Sequence, residues 1–386
     1  MAWLDGFAFD LSEEELLVQQ TARDFAEKEI APIAAELDRN HRFPSELIPK
    51  LGDLGFLGVT VDPELGGSGL SQLAYCLIIE ELAAACASTA VIVSAHNSLC
   101  LWPITEFGTP AQQQLYVPEL AAGKKIGCFA LSEPGTGSDA ARLAVTVKKQ
   151  GDKFIINGTK NWISNAPVSD TCILFANQEP SKGHAGITAF VHDLKLPGIS
   201  IGKKEEKLGI CASPTASIVY TDVELTADNI LGSELGGFKV AMATLNGGRT
   251  GVAAQAVGIA RAALRDALAY SKERSTFGEK ICEHQTIQNY LADMVTRVDA
   301  SRYLTLGAAH LKDKKKNYIR AAAMAKLYAS ETAMECALKG VQIHGGYGYV
   351  KEFPAERHMR DAKITEIYEG TSEIQRLIIA EQLIRE

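Results

Sequence analysis

The chain lacks the patterns that would build a metal site or a disulfide framework. Its eight cysteines (Cys76, Cys86, Cys100, Cys128, Cys172, Cys211, Cys282 and Cys336) contain no Cys-x-x-Cys pair. Most stand in apolar or helical surroundings that suit a small buried residue, so they read as free thiols of a reducing compartment. The eight histidines show no His-Glu-x-x-His or other ligand spacing, and no metal is implied. No apolar run reaches the roughly 18 residues that a membrane span needs. The stretch Ala253–Ala263 is broken by Gln255, Gly258 and Arg261. The N-terminus, MAWLDGFAFDLSEEEL, has no basic region leading into an apolar one and is not Arg-rich. The expected location is the bacterial cytoplasm, or the mitochondrial matrix if a leader has been removed. Positive charge is not in excess. The net charge is −8, which argues against broad nucleic-acid binding. The dense basic run Lys312-Asp313-Lys314-Lys315-Lys316 reads as a solvated loop between helices. Internal repeats and low-complexity segments are missing too.

What is present is an ordinary globular composition, 46% apolar and 22% charged over 386 residues, enough for a large core and more than one domain. The periodicity changes along the chain. Residues 1–125 read as helical. Ser12 with Glu13, Glu14 and Glu15 offers an N-cap and an acidic first turn, and apolar residues recur at helical spacing through Ala34. Leu70–Ala87 and Pro110–Ala122 predict further helices. Residues 126–236 read as strands. Asn157-Gly158 between apolar-rich runs predicts a two-residue hairpin turn, and Ile187–Val191 and Ile218–Tyr220 are short β-branched or aromatic runs. Residues 237–386 return to helices, Ala-rich and amphipathic: Thr250–Lys272, Thr286–Leu311 and Tyr318–Gly340, then a last helix to Arg385 opened by the capping-box pattern Ser372-Glu373-Ile374-Gln375. The expected fold class is α+β, mostly α. An N-terminal helical domain (1–125) precedes a middle antiparallel β-barrel or sandwich (126–236) and a C-terminal helical bundle (237–386).

The run Phe129–Asp139, FALSEPGTGSD, holds Gly135-x-Gly137-x-x-Ala140, a match to a dinucleotide-binding pattern. The context fails, because an alternating strand, Ala144–Lys149, follows it instead of a helix. The safer reading is a Gly-rich loop whose backbone N–H groups can approach an anion or a polar ring.

That segment, with Lys160–Asn165 (KNWISN), Arg274–Gly278 (RSTFG), Gln342–Gly348 (QIHGGYG) and Ile367–Gln375 (IYEGTSEIQ), resembles the acyl-CoA dehydrogenase family, in the family's order and across nearly the whole chain. The resemblance implies a FAD enzyme. Phe129, Leu131, Ser132, Gly137 and Ser138 would contact the flavin. Trp162 would cover a ring face, with Ile163 and Ser164 beside it. A flat indole and a hydroxyl suit such contacts. Read alone, the simple alternative is that Trp162 is a buried residue of the barrel core. The resemblance also implies that Arg274, Thr276, Phe277 and Gln285, together with Gln342, Gly345, Gly346, Thr371 and Glu373, reach the FAD of a neighbouring subunit. The expected assembly is a homotetramer with shared FAD sites. Without the resemblance, Arg274 is simply a solvated residue at a helix end.

Glu369 carries the chemistry that the resemblance implies. It would take the α-proton of an acyl-CoA thioester while a hydride leaves the β-carbon. Read bare, it is an acid near a helix N-terminus. Such a base needs a raised pKa and donors at the thioester oxygen. Some relatives place the base just before the Arg that matches Arg249. Here that residue is Gly248, which cannot serve. Ser138, Asn246, Arg249, Tyr368 and Gly370 are the expected substrate contacts. Asn246 stands where an acid is common, and Cys211 where Arg is usual; a packed small residue is the preferred reading of Cys211. Ser94–Cys100 and the run from Ala321 to Leu327 look most like the short-chain, butyryl-CoA branch, and His96 is either a polar pocket residue or a satisfied core histidine. Branched, cyclic or dicarboxylic acyl-CoAs stay open. The expected electron acceptor is an electron-transferring flavoprotein. An oxidase using O₂ is the alternative, although such oxidases tend to run longer than this chain.

Overall fold

A computed structural model describes residues 11–385; the first ten residues of the stretch read for a leader lie outside them. The helices before the β region are α1 (Glu13–Phe25), α2 (Ala34–Arg39), α3 (Leu47–Asp53), α4 (Gln72–Ala85), α5 (Ala87–Ser94), α6 (Trp102–Phe107) and α7 (Pro110–Ala121). Ser12 and Glu15 close a capping box on α1, as the acidic first turn leads one to expect. The helical run to Ala34 passes through a π turn (Ala26–Ile30) and a 3₁₀ turn (Ala31–Ile33), because Pro32 removes a donor from the α ladder.

The strands are β1 (Gly127–Ala130), β2 (Thr146–Gln150), β3 (Lys153–Ser164), β4 (Thr171–Asn177), β5 (Ile187–Asp193), β6 (Ile199–Ile201) and β7 (Thr215–Thr226). They form one curled sheet in the order β1-β4-β2-β3-β7-β6, with β5 on β4. It is antiparallel except where β4 meets β1 and, at the single pair Asn177–Thr146, β2. The predicted hairpin at Asn157-Gly158 does not form. β3 runs straight through it, paired with β2 on one edge and β7 on the other, and Gly158 sits at a register irregularity with φ +135°. The Asn157 amide exchanges two hydrogen bonds of 2.9 Å with Asp222 on β7. A Cβ on Gly158 would lie 2.9 Å from Val145, so the glycine serves close packing and not a turn. The actual two-residue connection is Gly151-Asp152, where Gln150 pairs with Lys153 and Gly151 takes φ +64°.

The C-terminal bundle comprises α8 (Gly237–Glu273), α9 (Gln285–Asp313), α10 (Ile319–His344), α11 (Ala355–Thr365) and α12 (Ser372–Ile384), with a small hairpin, β8 (Ser275–Thr276) and β9 (Glu279–Lys280), between α8 and α9. Helix α8 begins earlier than its amphipathic pattern predicts and carries Asn246-Gly247-Gly248-Arg249 in its interior. It is the central rod, packed on α4, α9, α10 and α11. A buried ion cluster ties the helical domains together. Arg261 pairs with Glu80 and Glu81, Arg23 reaches Glu81 at 3.0 Å, and Arg302 reaches Glu80 at 3.0 Å. Burying these charges is costly unless each is paired, so the cluster fixes the register of α1, α4, α8 and α9.

The basic run at 312–316 is not wholly solvated. Asp313 accepts the Gln72 and Leu73 backbone N–H groups at the start of α4. The Lys312 amine donates to Gln72 at 2.8 Å and lies 5.0 Å from the Trp102 ring centre. Lys314, Lys315 and Lys316 stand in solvent, as expected. The last helix is capped one residue earlier than expected: Thr371 accepts the Ile374 N–H, and Ser372 is already helical and buried. Gln375, expected to complete the box, turns its amide onto the carbonyls of Glu369 and Gly370 instead.

Candidate active site

The loop between α11 and α12 presents Glu369 with φ +52°, followed by Gly370 with φ +94°. A non-glycine residue in the left-handed region carries strain, which the surroundings must hold in place. They do so from several sides. The Lys326 amine on α10 donates to the Gly370 carbonyl at 2.8 Å, and the Gln375 amide donates to the same oxygen at 2.9 Å. The Tyr368 hydroxyl donates to Gln255 on α8, whose amide in turn donates to the Ala87 carbonyl at 3.0 Å. The carboxylate is thereby directed at α8. A Cβ built on Gly248 would lie 2.1 Å from Glu369 Oε2 and 3.1 Å from Leu99 Cδ2. The position that a base could occupy on α8 and the position that Glu369 does occupy are one place.

Glu369 Oε2 is buried and accepts no hydrogen bond. Burial raises its carboxyl to about 7, against the pull of Lys326 and Arg249. An unpartnered carboxylate at a raised pKa is what a general base at neutral pH requires. Arg249, buried, donates to Asn246 Oδ1 and leaves its Nε without a partner. Burial lowers the Arg249 guanidinium to about 10, and Glu369 opposes the shift. Nearby on α4 and α5, the Tyr75 hydroxyl and Ser94 share a hydrogen bond of 2.8 Å against Gly251, the next glycine along this stretch of α8.

The second group of expected residues lies on the sheet. Phe129 packs against Phe175 with ring centres 4.9 Å apart and planes tilted by 55°, and Leu131 is buried. The loop that follows is a tight turn in which Glu133 and Thr136 exchange backbone bonds, leaving Gly135, Gly137 and Ser138 exposed. A Cβ on Gly135 or Gly137 would meet nothing. Trp162 is not a core residue: it is 60% exposed and holds φ +62°. Ile163 beside it is buried and Ser164 half-buried. A buried ion pair that sequence reading missed stitches the two segments together. Lys160 donates to Glu133 at 2.7 Å and to the Leu131 carbonyl at 2.9 Å, while Glu133 accepts the Ala144 and Val145 N–H groups. The Asn161 N–H donates to the Ser132 carbonyl at 2.8 Å. A lone Lys and a lone Glu, each in an apolar or Gly-rich run, were the available signal.

The third group is at the far end of α8. Arg274, Thr276, Gly345 and Gly346 line one cleft of about 460 Å³ with Tyr270 and Tyr347. Phe277, at the tip of the β8–β9 hairpin, is 99% exposed; Gln285, at the start of α9, and Gln342, near the end of α10, are exposed and outside the cleft lining. Thr371 and the exposed Glu373 belong instead to the Glu369 loop, at the start of α12. The expected residues therefore form separate clusters within one chain.

His96 proves to be a core histidine. It is fully buried, with Nδ1 accepting the Gly127 N–H and Nε2 donating to the Leu120 carbonyl, each at 3.1 Å. Burial lowers its pKa to about 4, so it is neutral and joins α7 to β1. Cys211 is a packed thiol, 4% exposed, against Lys207 and Arg360. Burial pushes it up to about 11.

The chain matches the family model described as acyl-CoA dehydrogenase, N-terminal domain, over residues 12–124, the middle domain over 128–223 and the C-terminal domain over 236–384. It is 51% identical to a short-chain specific acyl-CoA dehydrogenase, mitochondrial, of Bos taurus over 376 residues, covering 97% of this chain and 91% of that one. The solved structure of butyryl-CoA dehydrogenase from Megasphaera elsdenii superposes with a TM-score of 0.96 at 45% identity, over 98% of this chain and 100% of the other. A chain from a structure of the electron transferring flavoprotein of Acidaminococcus fermentans superposes with a TM-score of 0.97 at 46% identity, with the same coverage.

Proposed function

The chain belongs to the acyl-CoA dehydrogenase family, and from that premise we propose that it dehydrogenates a short-chain acyl-CoA between its α and β carbons, with Glu369 as the base. It is a FAD-dependent oxidoreductase. The observation that carries the choice of base is the buried, unpartnered Glu369 Oε2 over Gly248.

The residues present fit the cofactor. Trp162 offers an uncovered flat ring held at a strained backbone angle, and the open space at Gly135 and Gly137 lets backbone approach a ring. Phe129, Leu131, Ser132, Gly137, Ser138, Ile163 and Ser164 would hold the flavin end. Arg274, Thr276 and the open backbone at Gly345 and Gly346 suit a diphosphate, and Phe277, Gln285 and Gln342 are assigned to the same cofactor on the family resemblance. When bound, FAD supplies the acceptor for the β-hydride.

The chain's own residues do the rest. Glu369 accepts the α-proton. Its burial makes the carboxylate a stronger base, and Arg249 supplies positive charge close by. Gly370 lets backbone approach the thioester, and Tyr368, anchored on Gln255, keeps the loop seated. Asn246 and Ser138 are assigned to the remainder of the acyl-CoA on the family resemblance. A short acyl chain suits walls built from Tyr75, Ser94 and Leu99 close to the carboxylate.

A homotetramer with shared FAD sites has physical support. Arg274 follows Gly248 by 26 helical positions on α8, about 39 Å along the axis. An extended FAD whose ring lay beside Glu369 would not span that length, which supports assigning the Arg274 cleft to a site in another subunit. The exposed Phe277, Tyr349, Leu377, Leu383 and Ile384 supply apolar surface for such an assembly. The likeness to the Acidaminococcus chain supports an electron-transferring flavoprotein as the acceptor. Anaerobic mixing with acyl-CoAs of graded length and branching tests the reading. Butyryl-CoA should bleach the flavin fastest, and Glu369→Gln should abolish the bleaching. Full turnover by Glu369→Gln would refute the assigned base.

A further inference from the structure

Lys326 is fully buried on α10, among the alanines Ala322, Ala323, Ala325 and Ala329. A buried ammonium is expensive, and its cost is met only by an anion or several good acceptors. Its ammonium donates to the Gly370 carbonyl at 2.8 Å. That oxygen already receives the neutral Gln375 amide at 2.9 Å. Holding the peptide in place therefore does not require a charge, and an amide or a shorter donor would be cheaper. The charge has another counterpart: among the groups acting on Lys326, Glu369 is the strongest anion, ahead of Glu366 and Glu373, while Arg249 opposes it. The groups that face Glu369 are Lys326 from α10, Arg249 from α8, and Tyr75 from α4 and Tyr368 from its own loop, which feel its charge. Of these, Lys326 is the one that both grips the adjoining peptide and carries a positive charge.

We propose that Lys326 is a positioning residue for the base: its ammonium clamps the peptide that follows Glu369 and stabilises the ionised carboxylate in its place over Gly248. The inference rests on Glu369 being the base. Two otherwise conflicting needs are reconciled in this way. Desolvation makes the carboxylate basic, and a nearby cation keeps a usable fraction of it ionised at neutral pH. Arg249 adds positive charge from α8, but its guanidinium donates to Asn246 within its own helix and does not hold the Glu369 loop.

The test compares Lys326→Gln, which retains a donor without the charge, with Lys326→Arg, which retains the charge, both as FAD-loaded enzyme. In Lys326→Gln the acid limb of the kcat/KM profile should move to higher pH. At pH 6, kcat should fall about tenfold or more while KM changes less than about threefold. Lys326→Arg should keep the wild-type limb. A readout independent of turnover is proton uptake on binding acetyl-CoA, a thioester with no β-carbon to oxidise, measured by calorimetry in buffers of different ionisation enthalpy. Its pH dependence should move upward in Lys326→Gln in step with the limb. If Lys326→Gln does not fold, Lys326→Met takes the same two measurements. An acid limb and an uptake profile unmoved in a folded, charge-removing variant overturn the inference, even if thermal stability drops. Glu369→Gln separates the two readings. Turnover surviving in Glu369→Gln overturns the base itself, whereas loss of turnover there with an unmoved limb in Lys326→Gln overturns only the role of Lys326.

Discussion

The Glu369 carboxylate stands where a side chain on Gly248 would stand, 2.1 Å from the Cβ that glycine lacks. Two residues far apart in sequence thus share one small volume.

Gly248→Ala should displace the carboxylate. The atom it would strike is the free end of a flexible side chain, so the fold tolerates the change while the base moves. Steady-state kinetics should show kcat reduced about tenfold to a hundredfold. Melting should shift by only a few degrees, with FAD content unchanged. A large loss of thermal stability at full activity would contradict the shared volume.

The pH dependence follows from burial of Glu369. Activity should fall as pH drops through about 7, as the carboxylate becomes protonated. Stability runs the other way. Between the ordinary value of 4.5 and about 7 the folded state holds a proton that the unfolded state has released, so this group reduces stability as pH rises through that window. Glu369→Gln should therefore melt at a higher temperature than wild type above pH 7, with the difference vanishing near pH 4. Calorimetric melts of the two proteins at both pH values check this.

Lys160→Met should leave Glu133 buried without its cation. Removing one partner of such a pair costs about 3–5 kcal/mol. Because Glu133 also holds the Ala144 and Val145 N–H groups, the loop bearing Gly135, Gly137 and Ser138 should loosen as well. Lowered melting temperature together with FAD loss on gel filtration is the expected result. Restored FAD retention in Lys160→Met with Glu133→Leu would show that the stranded charge, not the missing contact, was responsible.

Thiol labelling should distinguish the cysteines. Seven of the eight are buried and Cys282 is half-exposed. Iodoacetamide at pH 7.5 should modify Cys282 first, and Cys211, held up to about 11, should resist until the protein unfolds. Peptide mass mapping over time reads the order, and Cys211→Ser should keep wild-type kcat.

By itself the sequence determined the kinds and order of elements and, through its family resemblance, a candidate base. Helical and strand periods are local properties of apolar spacing, so α4, α7, α9 and α10 were legible to within a few residues, and so were the strand-rich middle and the loop carrying Glu369. Tertiary structure decided what those segments do to one another. Asn157-Gly158 looks like a turn, but β2 and β7 pair on both edges of β3 and pull it through as a strand. Lys312-Asp313 looks solvated, but α4 arrives to be capped by Asp313 and to accept Lys312. Lys326 looks like one charge in an alanine helix until Gly370 comes within 2.8 Å of it. The physical reason is common to all of these: a hydrogen bond or a desolvated charge depends on what packs against it, and neighbours in space are set by long-range packing that no local pattern encodes.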